Sequence, residues 1–92
     1  MSADYRVETT PNFEQEFKLF DPAVARRVRK KIDYLAANPE LISQPLRNPP
    51  SELSGIHKYR IGDFRLLLWV DHRNHVITLQ AVGHRSEIYR KL

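Results

Sequence analysis

The chain has 92 residues, with 15 Lys and Arg against 11 Asp and Glu, a formal charge of +4 and no cysteine. This length fits one compact domain over 1–92 and leaves no room for a second core, so any active site must be a surface face or a shallow groove. The missing cysteines exclude a disulfide framework, a thiol nucleophile and a zinc–thiolate centre, while the positive charge favours an anionic partner: RNA, DNA or an acidic protein. Hydrophobic residues make up 41%, as in a folded domain rather than a disordered tail. Residues 1–10 carry Asp4, Arg6 and Glu8 and lack a signal-length apolar run. The longest apolar stretch, 66–70, is far too short to cross a bilayer. A soluble cytoplasmic chain with no membrane contact is expected.

In chain order, Tyr5, Val7 and Thr9 alternate with Arg6 and Glu8, the period of a half-buried strand. Pro11 then opens a helix, where its missing N–H costs least. Phe13, Phe17 and Phe20 fall on one face of that helix, at core-packing spacing. Asp21-Pro22 reads as the cap and first residue of a second helix. Val24, Val28, Ile32 and Leu35 line one side of it; Arg26, Arg27, Arg29, Lys30 and Lys31 form a solvated face on the rest, and Asn38-Pro39 ends it. The short connection makes the two helices an antiparallel hairpin.

Residues 40–54 have no sustained period and are broken by Pro45, Pro49 and Pro50, which predicts a loop. Three strands follow over 57–61, 64–70 and 76–82, separated by Gly62-Asp63 and by 71–74, so neighbours should pair as antiparallel hairpins. Leu66 to Val70 are apolar on both pleat faces, which marks the best-covered strand and puts Trp69 in the core. The expected fold is α+β: β-α-α-β-β-β, an antiparallel-rich four-stranded sheet with the helical hairpin packed on one face and a short C-terminal tail.

Gly55, Gly62 and Gly83 are isolated from one another, so no glycine-rich phosphate loop and no nucleotide cofactor is expected. His72 and His75 near a hairpin tip lack the further ligands of a metal site. Chemistry concentrates instead in Lys58-Tyr59-Arg60-Ile61-Gly62-Asp63-Phe64-Arg65 and Gly83-His84-Arg85-Ser86-Glu87-Ile88-Tyr89. On a strand Lys58 and Arg60 share one face, with Tyr59 and Ile61 on the other. Two cations on one face repel unless an anion sits between them, and Arg65, just past the turn, adds a rigid fork suited to phosphate.

The first segment resembles the "K-x-R-x-G-D-Y/F-R" core of the RelE/ParE toxin superfamily, and the second is similar to its closing "H-R-x-x-[VI]-Y" motif. The β-α-α-β-β-β order is also that of the superfamily, so the resemblance covers nearly the whole chain, and the closing tyrosine favours the RelE side over ParE. It implies a type II toxin neutralised by a cognate antitoxin, acting as a ribosome-dependent endoribonuclease that cleaves mRNA in the A site. The RNA's own 2′-hydroxyl would be the attacking group, with no metal or cofactor, and contact with DNA would come only through the toxin–antitoxin complex. By motif position, Arg65 would stabilise the transition state and, together with Lys58, Arg60 and Arg85, would bind RNA. Tyr89 would stack on a base or help abstract the proton, Lys58 is the more distant candidate base, and His84 or Arg85 would protonate the leaving 5′-oxygen. The chain departs from the family pattern by having Arg60 where a second lysine often stands and by carrying His84. An arginine cannot serve as a base, so that role falls to Tyr89 or Lys58. Two other readings share the scaffold: a ParE-like poison of DNA gyrase, and an inactive, antitoxin-binding co-repressor.

Overall fold

The computed structural model describes residues 4–90. In chain order these form β1 (Arg6–Thr9), α1 (Pro11–Phe17), α2 (Pro22–Ala37), 3-10 turns at Pro39–Leu41 and Ser51–Leu53, β2 (His57–Ile61), β3 (Phe64–Asp71) and β4 (Val76–His84). The helix starts follow their local chemistry. Thr10 accepts the Phe13 N–H at 3.1 Å and Asp21 accepts that of Val24 at 2.9 Å, each just before a first-turn proline.

The sheet runs β1-β4-β3-β2, with β2, β3 and β4 joined as antiparallel hairpins and β1 lying parallel to β4. Parallel strands need a long crossover, supplied here by both helices and the first two strands of the meander. The α+β order and antiparallel-rich sheet are those expected from the sequence, with β3 and β4 reaching Asp71 and His84 and Phe20 lying beyond the end of α1.

Each face of the sheet carries its own cluster. On the helix face Phe13, Val28 and Leu35 pack with Ile61, Leu66, Leu68, Ile77, Leu79 and Val82. On the other, Leu67 and Ala81 are covered by Leu53, Ile56 and Ile88 from the loop and the tail, with Leu46 and Trp69 at the margin. Trp69 is half-buried rather than central, and its indole N–H donates to the Ser54 carbonyl at 3.0 Å. A simple two-residue alternation could not put Leu79 and Val82 on one face. The bulge between the Leu67–Ala81 and Leu68–Leu79 pairs leaves Gln80 as the extra residue and resets the alternation.

Helix α1 is fastened to that bulge. The Thr10 hydroxyl (3.1 Å) and the Asn12 amide (2.8 Å) donate to the Gln80 carbonyl, and the buried Glu16 carboxylate accepts the Val82 N–H at 3.0 Å. Backbone groups disturbed by the bulge thus find partners on the helix. The aromatic row continues the contact, with Phe13 on Phe17 at 5.5 Å, Phe17 on Phe20 at 6.2 Å and Phe20 on Phe64 at 5.3 Å. In the β3–β4 turn the side-chain amide of Asn74, then its backbone N–H, hold the Asp71 carboxyl below its ordinary value of 3.8. Its contribution to the hairpin is present above that ordinary value and is lost as pH falls through the lowered one. Among the described residues no helix is long and apolar enough to cross a membrane.

Candidate functional site

Strand β2 presents its two sides as its pleat requires. Tyr59 and Ile61 belong to the helix-face cluster, so Lys58 and Arg60 stand on the opposite face. The β2–β3 turn brings Arg65 back onto the same face, because Arg60 pairs directly with Arg65 and Lys58 with Leu67, which lies in the second cluster. Gly62, the first of the two turn residues, has φ +59°, the left-handed conformation such tight hairpin turns take there. Directly opposed side chains stand roughly 5 Å apart at Cβ, and like charges in that position are destabilising.

Arg65 is half-buried as a residue, and its guanidinium donates from Nη1 to the carbonyls of Gly62 (3.0 Å) and Phe64 (2.9 Å), which fixes its orientation beside the turn. No carboxylate among the described residues pairs with these cations. Among the described residues the ion pair present joins Arg6 to Glu8 at 3.2 Å, at the other edge of the sheet. Lys58, Arg60 and Arg65, with Gln44 and Tyr89, line an open cleft of about 420 Å³. Three cations that converge with no counter-acid among the described residues form an arrangement able to contact one anion several times.

Two walls of the cleft come from segments outside the strands. Residues 44–46 lie along the outer edge of β2, where Lys58 donates its N–H to the Gln44 carbonyl (2.9 Å) and Leu46 its own to that of Ile56 (3.0 Å). This segment covers the sheet edge and makes Gln44 a wall residue, though nothing in its proline-broken surroundings marks it beforehand. The other wall is the tail. Ile88 is 2% exposed and packs over Gly83, where a Cβ would stand 3.4 Å from its Cδ1. Gly83 pairs with Arg65, so the anchored Ile88 delivers the next residue, Tyr89, to the cationic face with 40% of its surface free.

The two other residues of the closing motif lie elsewhere. His84 pairs with Phe64 and its ring meets that ring edge-on at 5.7 Å, so it sits on the helix side of the sheet, away from the cleft walls. The reason is the pleat: Gly83 opposes Arg65 on the cleft face, so the next residue faces the other way. The Ser86 N–H donates to His84 Nδ1 at 3.2 Å and the Ser86 hydroxyl lies 2.8 Å from it, which holds the ring against the start of the tail. Arg85 spends its backbone N–H on the Asp63 carbonyl (2.8 Å), tying the tail to the β2–β3 turn, while its exposed side chain lies outside the cleft lining. Among the described residues no three of His, Cys, Asp and Glu come together as a metal-ligand group.

Residues 7–89 match the family described as "ParE toxin of type II toxin-antitoxin system, parDE". Toxin RelG of Mycobacterium tuberculosis is 30% identical over 88 residues, 95% of this chain and 98% of that protein. Toxin RelE of the same organism is 36% identical over 56 residues, 61% of this chain and 55% of that one. Among solved structures, the toxin–antitoxin complex RelBE2 of M. tuberculosis matches with a TM-score of 0.77 at 26% identity, over 90% of this chain and all of that one (100%). The archaeal RelE–RelB complex from Pyrococcus horikoshii OT3 matches at 0.72 over 92% of this chain and 99% of that one; at 20% identity this is a likeness of fold alone.

Proposed function

The chain belongs to the RelE/ParE family of type II toxins, and from that premise we propose that it is an endoribonuclease cleaving messenger RNA in the ribosomal A site. The observation that carries this reading is the cleft itself: three cations on one face, no carboxylate paired with them among the described residues, and an accessible tyrosine alongside. Such a site suits a phosphodiester flanked by an unstacked base. The 2′-oxygen attacks phosphorus as the bond to the 5′-oxygen breaks, giving a 2′,3′-cyclic phosphate and a free 5′-hydroxyl, with one proton leaving the nucleophile and one reaching the leaving oxygen.

Arg65 and Arg60 neutralise charge that grows on the non-bridging oxygens, and Arg65 is already oriented by its turn carbonyls. Tyr89 stacks on the base. Proton transfer falls to Lys58 and Tyr89, since arginine does not titrate and His84 lies across the sheet. Arg85, on the exposed tail, contacts RNA outside the cleft. The partner that silences the toxin is a cognate antitoxin, as in the RelBE2 complex, and the site of action is the cytoplasm, where ribosomes are. Purified protein added to programmed ribosomes, with the message's 5′ ends mapped, should produce cuts within the A-site codon; intact message would sink the reading.

Two further outcomes are expected. Because the cleft supplies its positive charge from side chains, cleavage should persist in EDTA once the ribosome's own magnesium is controlled for. Strict dependence on one added divalent ion would contradict this. Ile88→Ala should cost about 2–5 kcal/mol of stability in urea denaturation. It should also lower cleavage at temperatures where the variant is fully folded, because Tyr89 loses its anchor; full activity there would detach Tyr89 from the site.

A second reading, that the chain binds and poisons DNA gyrase, is favoured by the ParE name of the matched family. A gyrase supercoiling assay separates the two. Inhibition of gyrase by a protein that leaves A-site messages intact would favour this one.

A further inference from the structure

Tyr89 forms part of a second groove. This depression of about 340 Å³ is lined by Tyr89, Leu46, Arg47, Asn48 and Pro50, and a neighbouring one of about 350 Å³, lined in part by Gln44, Arg47 and Lys58, shares residues with both it and the cationic cleft. Its walls are two apolar side chains, a phenol ring, a planar guanidinium and one amide. Single-stranded RNA is bound by sites of this composition, in which a splayed base stacks on an aromatic ring or a guanidinium plane and its edge is read by hydrogen bonds. Asn48 is the group suited to reading. Its amide offers both donors and an acceptor, and among the described residues it makes no side-chain hydrogen bond within the protein. Its backbone also stands at φ +49°, a left-handed conformation that asparagine tolerates better than most residues.

We propose that this groove is a nucleobase subsite: the base next to the phosphate held by Lys58, Arg60 and Arg65 enters it and stacks on Tyr89, and Asn48 reads its edge. Asn48, which lies in neither sequence motif, is then a specificity-determining residue. The proposal rests on the cleft being an RNA site, so binding and cleavage are measured separately. Four messages differing in one A-site base are made with 2′-deoxyribose at the cut position and placed on ribosomes, and toxin binding to each is measured. Wild-type protein should discriminate among them by on the order of tenfold, the scale of one good amide–base contact. Asn48→Gly removes the amide but keeps a residue that accepts a left-handed φ, so it should bind the four messages alike with little loss for the poorest. Unchanged ordering in Asn48→Gly, or equal binding of all four by the wild type, overturns the subsite. The all-ribose messages test the reaction: cleavage without Asn48-dependent ordering removes the subsite alone, and ordered binding without cleavage removes the ribonuclease reading alone.

Discussion

Replacing Arg65 by alanine should slow single-turnover cleavage on programmed ribosomes by about a hundredfold or more, the usual effect of deleting one pre-set electrostatic contact to a transition state. Binding to the same ribosomes should change only a few-fold, because on the proposed reading Lys58 and Arg60, which line the same cleft, would still hold the ground-state phosphate. The contrast arises from geometry. Nη1 of Arg65 is fixed on the carbonyls of Gly62 and Phe64, so the fork needs no reorganisation when charge develops. Losing those two bonds from a half-buried side chain should cost on the order of 1 kcal/mol of stability, too little to unfold a domain. Arg65→Lys, which keeps the charge without the fork, should recover only part of the rate. Equal losses in binding and cleavage would make Arg65 a docking residue, and an unchanged rate would remove it from the site.

Reversing the charge of the neighbouring strand, Lys58→Glu with Arg60→Glu, should abolish measurable cleavage and slow association with the antitoxin by about tenfold or more at low salt. Both side chains lie on the face opposite Tyr59 and Ile61, so the helix-face core is untouched and the thermal transition should stay nearly in place. Two acids beside Arg65 also relieve the like-charge pairing across β2 and β3. The expectation assumes that an antitoxin inhibits by laying an acidic, amphipathic segment over the exposed cations. Steering of this kind acts over about 8 Å at physiological ionic strength, so stopped-flow association at two salt concentrations should show the wild-type rate falling with salt and the variant's barely moving. Normal association beside lost cleavage would place the antitoxin elsewhere, across the helical hairpin.

Much of the architecture was legible because it is written in short-range chemistry. The pleat alone separates Lys58 and Arg60 from Tyr59 and Ile61, Asp21-Pro22 starts α2 by capping, and Gly62 permits the turn that returns Arg65 beside Arg60. The double-sided apolar run 66–70 announced a strand covered on both faces, but it also put Trp69 in the core, whereas that ring sits at the margin, held by Ser54. What tertiary structure decided are the contacts between distant segments. The parallel pairing of β1 with β4 has no local signal, since its hydrogen bonds join residues some 70 positions apart. The bulge at Gln80 reads locally as one more strand residue, and becomes necessary only when Leu79 and Val82 must share one face. The same long-range packing brings Gln44 to the cleft wall and seats Ile88 over Gly83 so that Tyr89 joins Arg65, while one step of the pleat turns His84 toward Phe64. Residue type and spacing determined which groups could handle an anion; which of them meet was settled by a sheet register and a tail anchor that depend on burial of side chains remote in sequence.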